Sequence, residues 1–191
     1  MHGRSRLQRY TKLADWEYIE SIAAANPSKP VIPNGDILSY TDYYDKLEKY
    51  PSLTPCAMLA RGALIKPWLP LEIKKKEHYD ISSSERFDML KQFVSYGLEH
   101  WGSDTQGVNT TRRFLLEWLS FLYRYVPVGL LEVLPQGMNQ RPPIHMCGRD
   151  DLETLMLSSH YQDWVKISEM LLGPVPDGFE FKPKHKANSY S

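Results

Sequence analysis

Val31-Ile32-Pro33-Asn34-Gly35-Asp36, followed by Ala57-Met58-Leu59-Ala60-Arg61-Gly62-Ala63, are the two stretches on which the fold turns. Each is a short apolar run that stops at a glycine-containing turn. Each precedes a segment suited to a helix: Tyr40 to Tyr50 after the first, and Leu64 to Lys76 after the second, with Pro67 tolerated near a helix start. Upstream, Leu13, Trp16, Ile19, Ile22 and Ala23 recur at the spacing of one helical face, which predicts a helix from Lys12 to Ala25 ended by Asn26-Pro27. Short strands alternating with helices argue for parallel βα units whose turns gather at the carboxyl ends of the strands. Backbone amides of two neighbouring glycine turns can point at one anion, and Arg61 adds charge, so Asn34-Gly35-Asp36 and Arg61-Gly62-Ala63 form a candidate phosphate site. The alternative is that both glycines only cap turns.

Beyond Asp80 the pattern becomes helical. Ser82 to Glu85 offers a cap, and Phe87, Leu90, Phe93, Val94 and Leu98 form a stripe that ends near Gly102. Val108, Leu115, Trp118, Leu119 and Leu122 form a second stripe stopped by Pro127, and Leu152 to Leu157 and Trp164 to Leu172 supply two more segments. The fold class expected is therefore α/β plus all-α, mostly helical overall. Residues 1–80 hold parallel βα units, residues 81–172 a bundle of about four helices, and residues 173–191 an extended basic tail. The bundle core is expected around Phe93, Leu115, Trp118, Leu119 and Trp164, with Phe114 and Tyr125 also read as core aromatics rather than stacking platforms.

Composition excludes several classes. The 191 residues are 42% hydrophobic and 24% charged, which is ordinary globular usage. A formal net charge of zero argues against coating nucleic acid or membrane by bulk electrostatics, so any nucleic-acid contact is a local patch. Cys56 and Cys147 stand in unlike contexts without a CxxC pair, and His78, His100, His145 and His160 show no ligand spacing, so neither a disulfide framework nor a metal site is expected. No apolar run reaches transmembrane length and Met1 to Tyr10 lacks the apolar stretch of a signal peptide, so the expected setting is intracellular and reducing, cytoplasmic or nuclear, with no membrane partner.

Longer motifs carry a resemblance. HGRSR from His2, NGDILSY from Asn34, ARGALIKPW from Ala60, LEHWGSDTQG from Leu98, TRRFLLEWLSFLYRYVPVGLLE from Thr111, GRDDLETLM from Gly148 and PKHKANSY from Pro183 closely resemble the tRNA-dihydrouridine synthases of the eukaryotic type, over essentially the whole chain. The resemblance implies the last βα units of a TIM (β/α)8 barrel that binds FMN, followed by a helical domain that helps hold tRNA. It implies flavin-dependent reduction of a tRNA uridine to dihydrouridine, with NADPH as electron donor and a monomeric complete enzyme. By the same resemblance His2 contacts the flavin, Asn34, Gly35 and Asp36 hold the ribityl-phosphate, and Ala60, Arg61 and Gly62 form the second phosphate turn. The family's catalytic cysteine lies on a Gly-Cys-Pro loop that has no counterpart here, so no catalytic residue is assigned. The chain alone is expected to be inactive, and a truncated product or a non-catalytic tRNA-binding module is the alternative.

Between Gly107 and Arg149 five arginines face Glu117 and Glu132, a local excess of three positive charges. They read either as surface ion pairs or as a track for phosphates. The resemblance favours RNA, with Arg112, Arg113 and Arg141 as contacts and Lys184 and Lys186 as a second set in the tail. The helix is expected from Asn109 to Tyr125, which places Arg112 and Arg113 in its first turn, exposed and opposed to the helix dipole.

Overall fold

The structure, a computed structural model, describes residues 1–8 and 12–184. The chain divides into two units: Met1–Tyr79 with Glu132–Gln140, and Asp80–Leu131 with the chain from Arg141 onward. The return of Glu132–Gln140 to the first unit interrupts the continuous helical domain expected over 81–172. This segment carries no helix or strand, and only tertiary packing places it.

In the first unit Asp15 caps α1 (Trp16–Ala25), its carboxylate accepting the Tyr18 amide at 2.8 Å. Because the helix starts there, Leu13 lies outside it and is exposed, while Trp16, Ile19 and Ala23 follow the buried face. α2 (Tyr40–Lys49) starts at Ser39, whose hydroxyl accepts the Asp42 amide. The helix expected from Leu64 is two helices, α3 (Arg61–Ile65) and α4 (Leu69–Lys75), because Pro67 drives Lys66 out of the helical region to φ −130 and ψ 85. Lys66 turns inward there and donates to Leu38 O at 3.1 Å and to Glu72. Burial pushes its ammonium below the usual lysine range, against the pull of Glu72. The core of this unit is Trp16, Ile19, Ala23, Ile37, Leu53 and Leu69.

The parallel segments expected as strands meet only at single positions: His2 pairs with Asn34, and Asn34 with Met58, both in parallel. No longer strand occurs among the described residues. Proline is the physical reason. Pro33 removes a ladder donor beside Asn34, and Pro30 and Pro55 flank the two paired segments and limit their length. What remains includes Met58 N donating to Pro33 O at 2.9 Å and Thr54 N to Val31 O at 3.1 Å.

The second unit is helical. Ser82 and Glu85 close a capping box at the start of α5 (Ser83–Trp101), and α6 (Thr105–Leu122) follows across Gly102, capped by Asp104. α7 (Asp151–Leu157) and α8 (Tyr161–Leu172) complete the set, with α6 packed on both α5 and α8. Leu90, Val94, Leu115, Leu116, Leu119, Met156, Trp164 and Ile167 form the interior. Phe93 and Trp118, expected in the core, sit half-buried at its edge with ring centroids 4.9 Å apart. The tail is unhelical to Lys184, yet Phe181 and Pro183 are buried, so this stretch is packed rather than free. No described helix is long and apolar enough to cross a membrane.

Candidate functional site

Gly3, Gly35 and Gly62 let three chain segments approach one another closely. A Cβ on Gly3 would lie 2.3 Å from Asp15 O, and one on Gly62 would lie 2.2 Å from Ile37 O. Gly35 has φ 136 and is wedged between Ala14 and the His2 ring, a conformation and a space that other residues do not take without strain. Asp36 follows at φ 54. The turn is held from several sides: Trp16 Nε1 donates to Gly35 O at 3.1 Å, His2 Nδ1 donates to Asn34 O at 2.9 Å, and the Asn34 side-chain amide donates to Met58 O at 2.7 Å. Since a carbonyl can only accept, Nδ1 carries the imidazole proton and Nε2 is the ring's remaining polar atom.

These segments enclose a cleft of about 200 Å³ lined by His2, Asn34, Gly35, Asp36, Ala60, Arg61 and Gly62, the seven residues singled out from sequence, together with Arg4 and Met138. The charge distribution differs from the expectation. Asp36 does not offer its carboxylate to a ligand. That group accepts two bonds from Arg4 Nη2, at 2.5 and 2.7 Å, a third from Ala14 N at 2.6 Å and a longer one from Arg61 Nη2 at 3.3 Å. Arg4 is committed further, donating from Nε to Lys12 O at 2.6 Å. The short bonds hold Arg4 as a strut, and Arg61 lies along the wall of the cleft with Nη2 3.3 Å from Asp36. Two guanidinium groups share the Asp36 carboxylate, and a guanidinium on a cleft wall is a group that can grip a phosphate in two places. Arg4 was hidden within an arginine-rich leader, although its place two residues after His2 was a usable signal. Met138 had no sequence signal.

The second unit corrects part of the arginine reading. α6 begins at Thr105, so Arg112 stands mid-helix rather than in the first turn, and it is buried. Its guanidinium donates to Ser168 Oγ at 3.0 Å and to the carbonyls of Leu172, Gly173 and Pro174 at 3.3, 2.9 and 3.3 Å, closing the carboxyl end of α8. Burial lowers its pKa, yet arginine stays charged, and these carbonyls offset the desolvation. Arg112 is therefore a structural cation and not a surface contact. Arg124 is buried as well. Arg149 is gripped by Glu153 and Asp80, which push its pKa up. Arg86, which sequence reading passed over, is wholly buried over the Tyr125 ring, and burial pushes it down to about 10. Arg113 and Lys184 are exposed and Arg141 is half-buried, while Lys186 lies outside the described residues. Neither cysteine lines the cleft. Cys56 is half-buried and Cys147 exposed, both free. Among the described residues no cluster of His, Cys, Asp and Glu is placed to hold a metal.

Comparison with known proteins bears on this arrangement. The family model described as "Dihydrouridine synthase (Dus)" matches residues 1–121. Over 190 residues the chain is 64% identical to proteins named "tRNA-dihydrouridine(47) synthase [NAD(P)(+)]-like" from Xenopus tropicalis and Homo sapiens, covering 100% of this chain and 29% of each relative. A similarly named protein from Oryza sativa subsp. japonica is 59% identical over 191 residues, covering 100% of this chain and 28% of its own length. The chain thus spans less than a third of the relatives it matches, and the family match takes in both glycine turns and α5. By that match the chain belongs to the dihydrouridine synthase (Dus) family.

Proposed function

We propose that this chain forms the flavin-phosphate end of the FMN site and a tRNA-docking helical unit of a tRNA-dihydrouridine synthase, an NAD(P)H-driven oxidoreductase that reduces a tRNA uridine to dihydrouridine. The carrying observation is the pair of glycine turns that bring the Arg61 guanidinium and the Asn34-Gly35 backbone to one cleft. The size of the cleft supports the assignment of one end only. Sites for whole small molecules run from about 300 to 1,000 Å³, so about 200 Å³ suits a phosphate and the adjoining chain and not a tricyclic ring. His2, with its proton on Nδ1, keeps Nε2 for the ribityl side. Asp36 and Arg4 orient Arg61 and do not touch the anion. Bound FMN would supply hydride chemistry, and the residues here would anchor and orient it.

No Gly-Cys-Pro loop stands in this sequence to supply the proton that uridine reduction requires, and neither Cys56 nor Cys147 matches it. The chain by itself is accordingly expected to form no dihydrouridine on tRNA with NADPH and FMN. The two free thiols suit a reducing compartment, cytoplasmic or nuclear. The anchoring role is tested by Arg61→Ala. Retention of FMN, read by flavin absorbance after gel filtration, should fall roughly tenfold, as expected for one lost charge-assisted bond of about 1.5 kcal/mol, with helicity unchanged. Equal retention would remove Arg61 from the site.

A further inference from the structure

Phe114, expected in the core from its helical spacing, is instead exposed and paired with Trp101. Trp101, the last residue of α5, and Phe114 on α6 lie ring on ring, with centroids 4.8 Å apart and planes within 5°. Both remain open to solvent, at 37% and 48% exposure, whereas Trp164 and Tyr125 are buried. A parallel aromatic stack on a surface forgoes the burial that normally holds such rings inside. Beside it runs an open groove of about 780 Å³ along the outward face of α6. Gln106, Thr110, Arg113 and Glu117 recur there at helical spacing, with Asn109 next to them and Lys184 of the tail forming the far wall.

Electrostatics narrows the occupant. Arg113 and the Lys184 ammonium form no ion pair among the described residues, and both are exposed. Glu117, the one carboxylate among the described residues of the groove, accepts the Lys184 backbone amide at 3.2 and 3.4 Å, which ties the tail across the groove and partly screens that negative charge. Asp104, at the head of α6, is spent on the Gly107 amide. The lining therefore combines a flat π-surface, uncharged hydroxyl and amide groups, and two cations. Base stacking, base-edge hydrogen bonding and phosphate neutralisation need those three elements, and an apolar protein helix would not use them. Arg112 and Phe181 contribute indirectly: they anchor the tail that carries Lys184, one through the α8 carbonyls and the other by burial.

We infer that this groove binds an unpaired stretch of RNA, with phosphates at Arg113 and Lys184 and a base on the exposed Phe114–Trp101 stack. The inference rests on the tRNA-docking reading above and adds to it the strand state and the stacking residues. A duplex keeps its base faces within its own stack and presents phosphates, 2′-hydroxyls and base edges, so it would use the cations and not the ring faces. The groove thus distinguishes single-stranded from paired RNA.

The test uses the purified chain with a fluorescein-labelled unpaired uridine decamer and a duplex of the same length, followed by anisotropy and by tryptophan emission. The decamer is expected to bind at least about tenfold more tightly than the duplex. Phe114→Leu should weaken decamer binding by about tenfold, the usual scale for one base–aromatic stack, without changing the slope of log affinity against log salt. Phe114→Tyr should restore it. Arg113→Gln should reduce that slope by about 0.7, one single-strand phosphate contact. Helicity measured by circular dichroism checks that each variant folds. Decamer binding unaffected by Phe114→Leu, or equal affinity for duplex and decamer, overturns the inference. FMN retention measured on the same preparations separates the two readings: decamer binding that Phe114→Leu leaves unchanged, in protein whose flavin retention falls with Arg61→Ala, counts against the groove alone, and flavin unaffected by Arg61→Ala counts against the phosphate cleft alone.

Discussion

At the scale of single residues, the same residue type serves opposite purposes according to what surrounds it. Asp36 was legible in sequence as part of a glycine turn, but the direction of its carboxylate was not, because that depends on Arg4 and Ala14 arriving from elsewhere in the chain. It is a buried anion between two cations. Asp36→Asn removes the charge that Arg4 and Arg61 share, and breaking one side of a buried pair typically costs about 3–5 kcal/mol. The urea midpoint of the first unit should fall accordingly, and FMN retention should fall with it. An unchanged midpoint would mean that Arg4 finds another acceptor. Arg112 teaches the converse. Its exposure was inferred from a helix start placed four residues too late, Asn109 against the observed Thr105. Arg112→Ala should destabilise the second unit by roughly 2–3 kcal/mol, the scale for hydrogen bonds to a charged group, and its loss should be read in thermal unfolding. A variant that melts like the parent would contradict the closing role assigned to it.

At the scale of elements, periodicity located most helices and missed their ends and breaks. Ser82 and Glu85 were readable because a capping box is a local pattern, and the structure forms it with both bonds. The break at Lys66-Pro67 was not predicted, since the gain that tolerates it is Lys66 reaching Leu38 O and Glu72, contacts invisible in local sequence. The seam between α5 and α6 depends on Gly97: a Cβ there would lie 2.5 Å from Thr111 Cγ2. Gly97→Ala gains about 1 kcal/mol of helix propensity and loses about 1–3 kcal/mol to overpacking, so net destabilisation is expected. Combining it with Thr111→Ala, which removes the two closest atoms, should recover much of the loss. Chemical denaturation of the four proteins in a double-mutant cycle measures the coupling, and strict additivity would show that the seam is slack.

At the scale of the whole chain, acid should weaken the second unit. Burial works to raise the Glu153 carboxyl, but hydrogen bonds from Arg149 outweigh it and hold it below its ordinary value of 4.5. Burial likewise works to raise Asp163, and Lys166 and Ser158 overcome it. A carboxyl depressed by folding contributes stability that is complete above its ordinary value and is lost as the pH falls through the depressed one. Stability followed by Trp164 emission should therefore be flat from neutrality to about pH 5 and decline below it. Arg149→Met should remove much of that decline together with stability at neutral pH. An acid limb of the same size in Arg149→Met would assign it to other carboxylates.

The sequence by itself determined the helices, the two glycine turns and the family, because apolar spacing, caps and motif order act over a few residues and survive without knowledge of packing. It also brought to notice seven of the residues that the structure gathers at the cleft, though not Arg4 or Met138. Tertiary structure alone decided which charges face a ligand. Arg4 became a strut and Asp36 its anchor, Arg112 closed α8 from within, and Trp101 and Phe114 stayed outside as a stack. The reason is physical. The hydrophobic pattern that forms an element is written along the chain, whereas the partner that satisfies a charge, and the neighbour that covers or fails to cover a ring, come from segments far away in sequence.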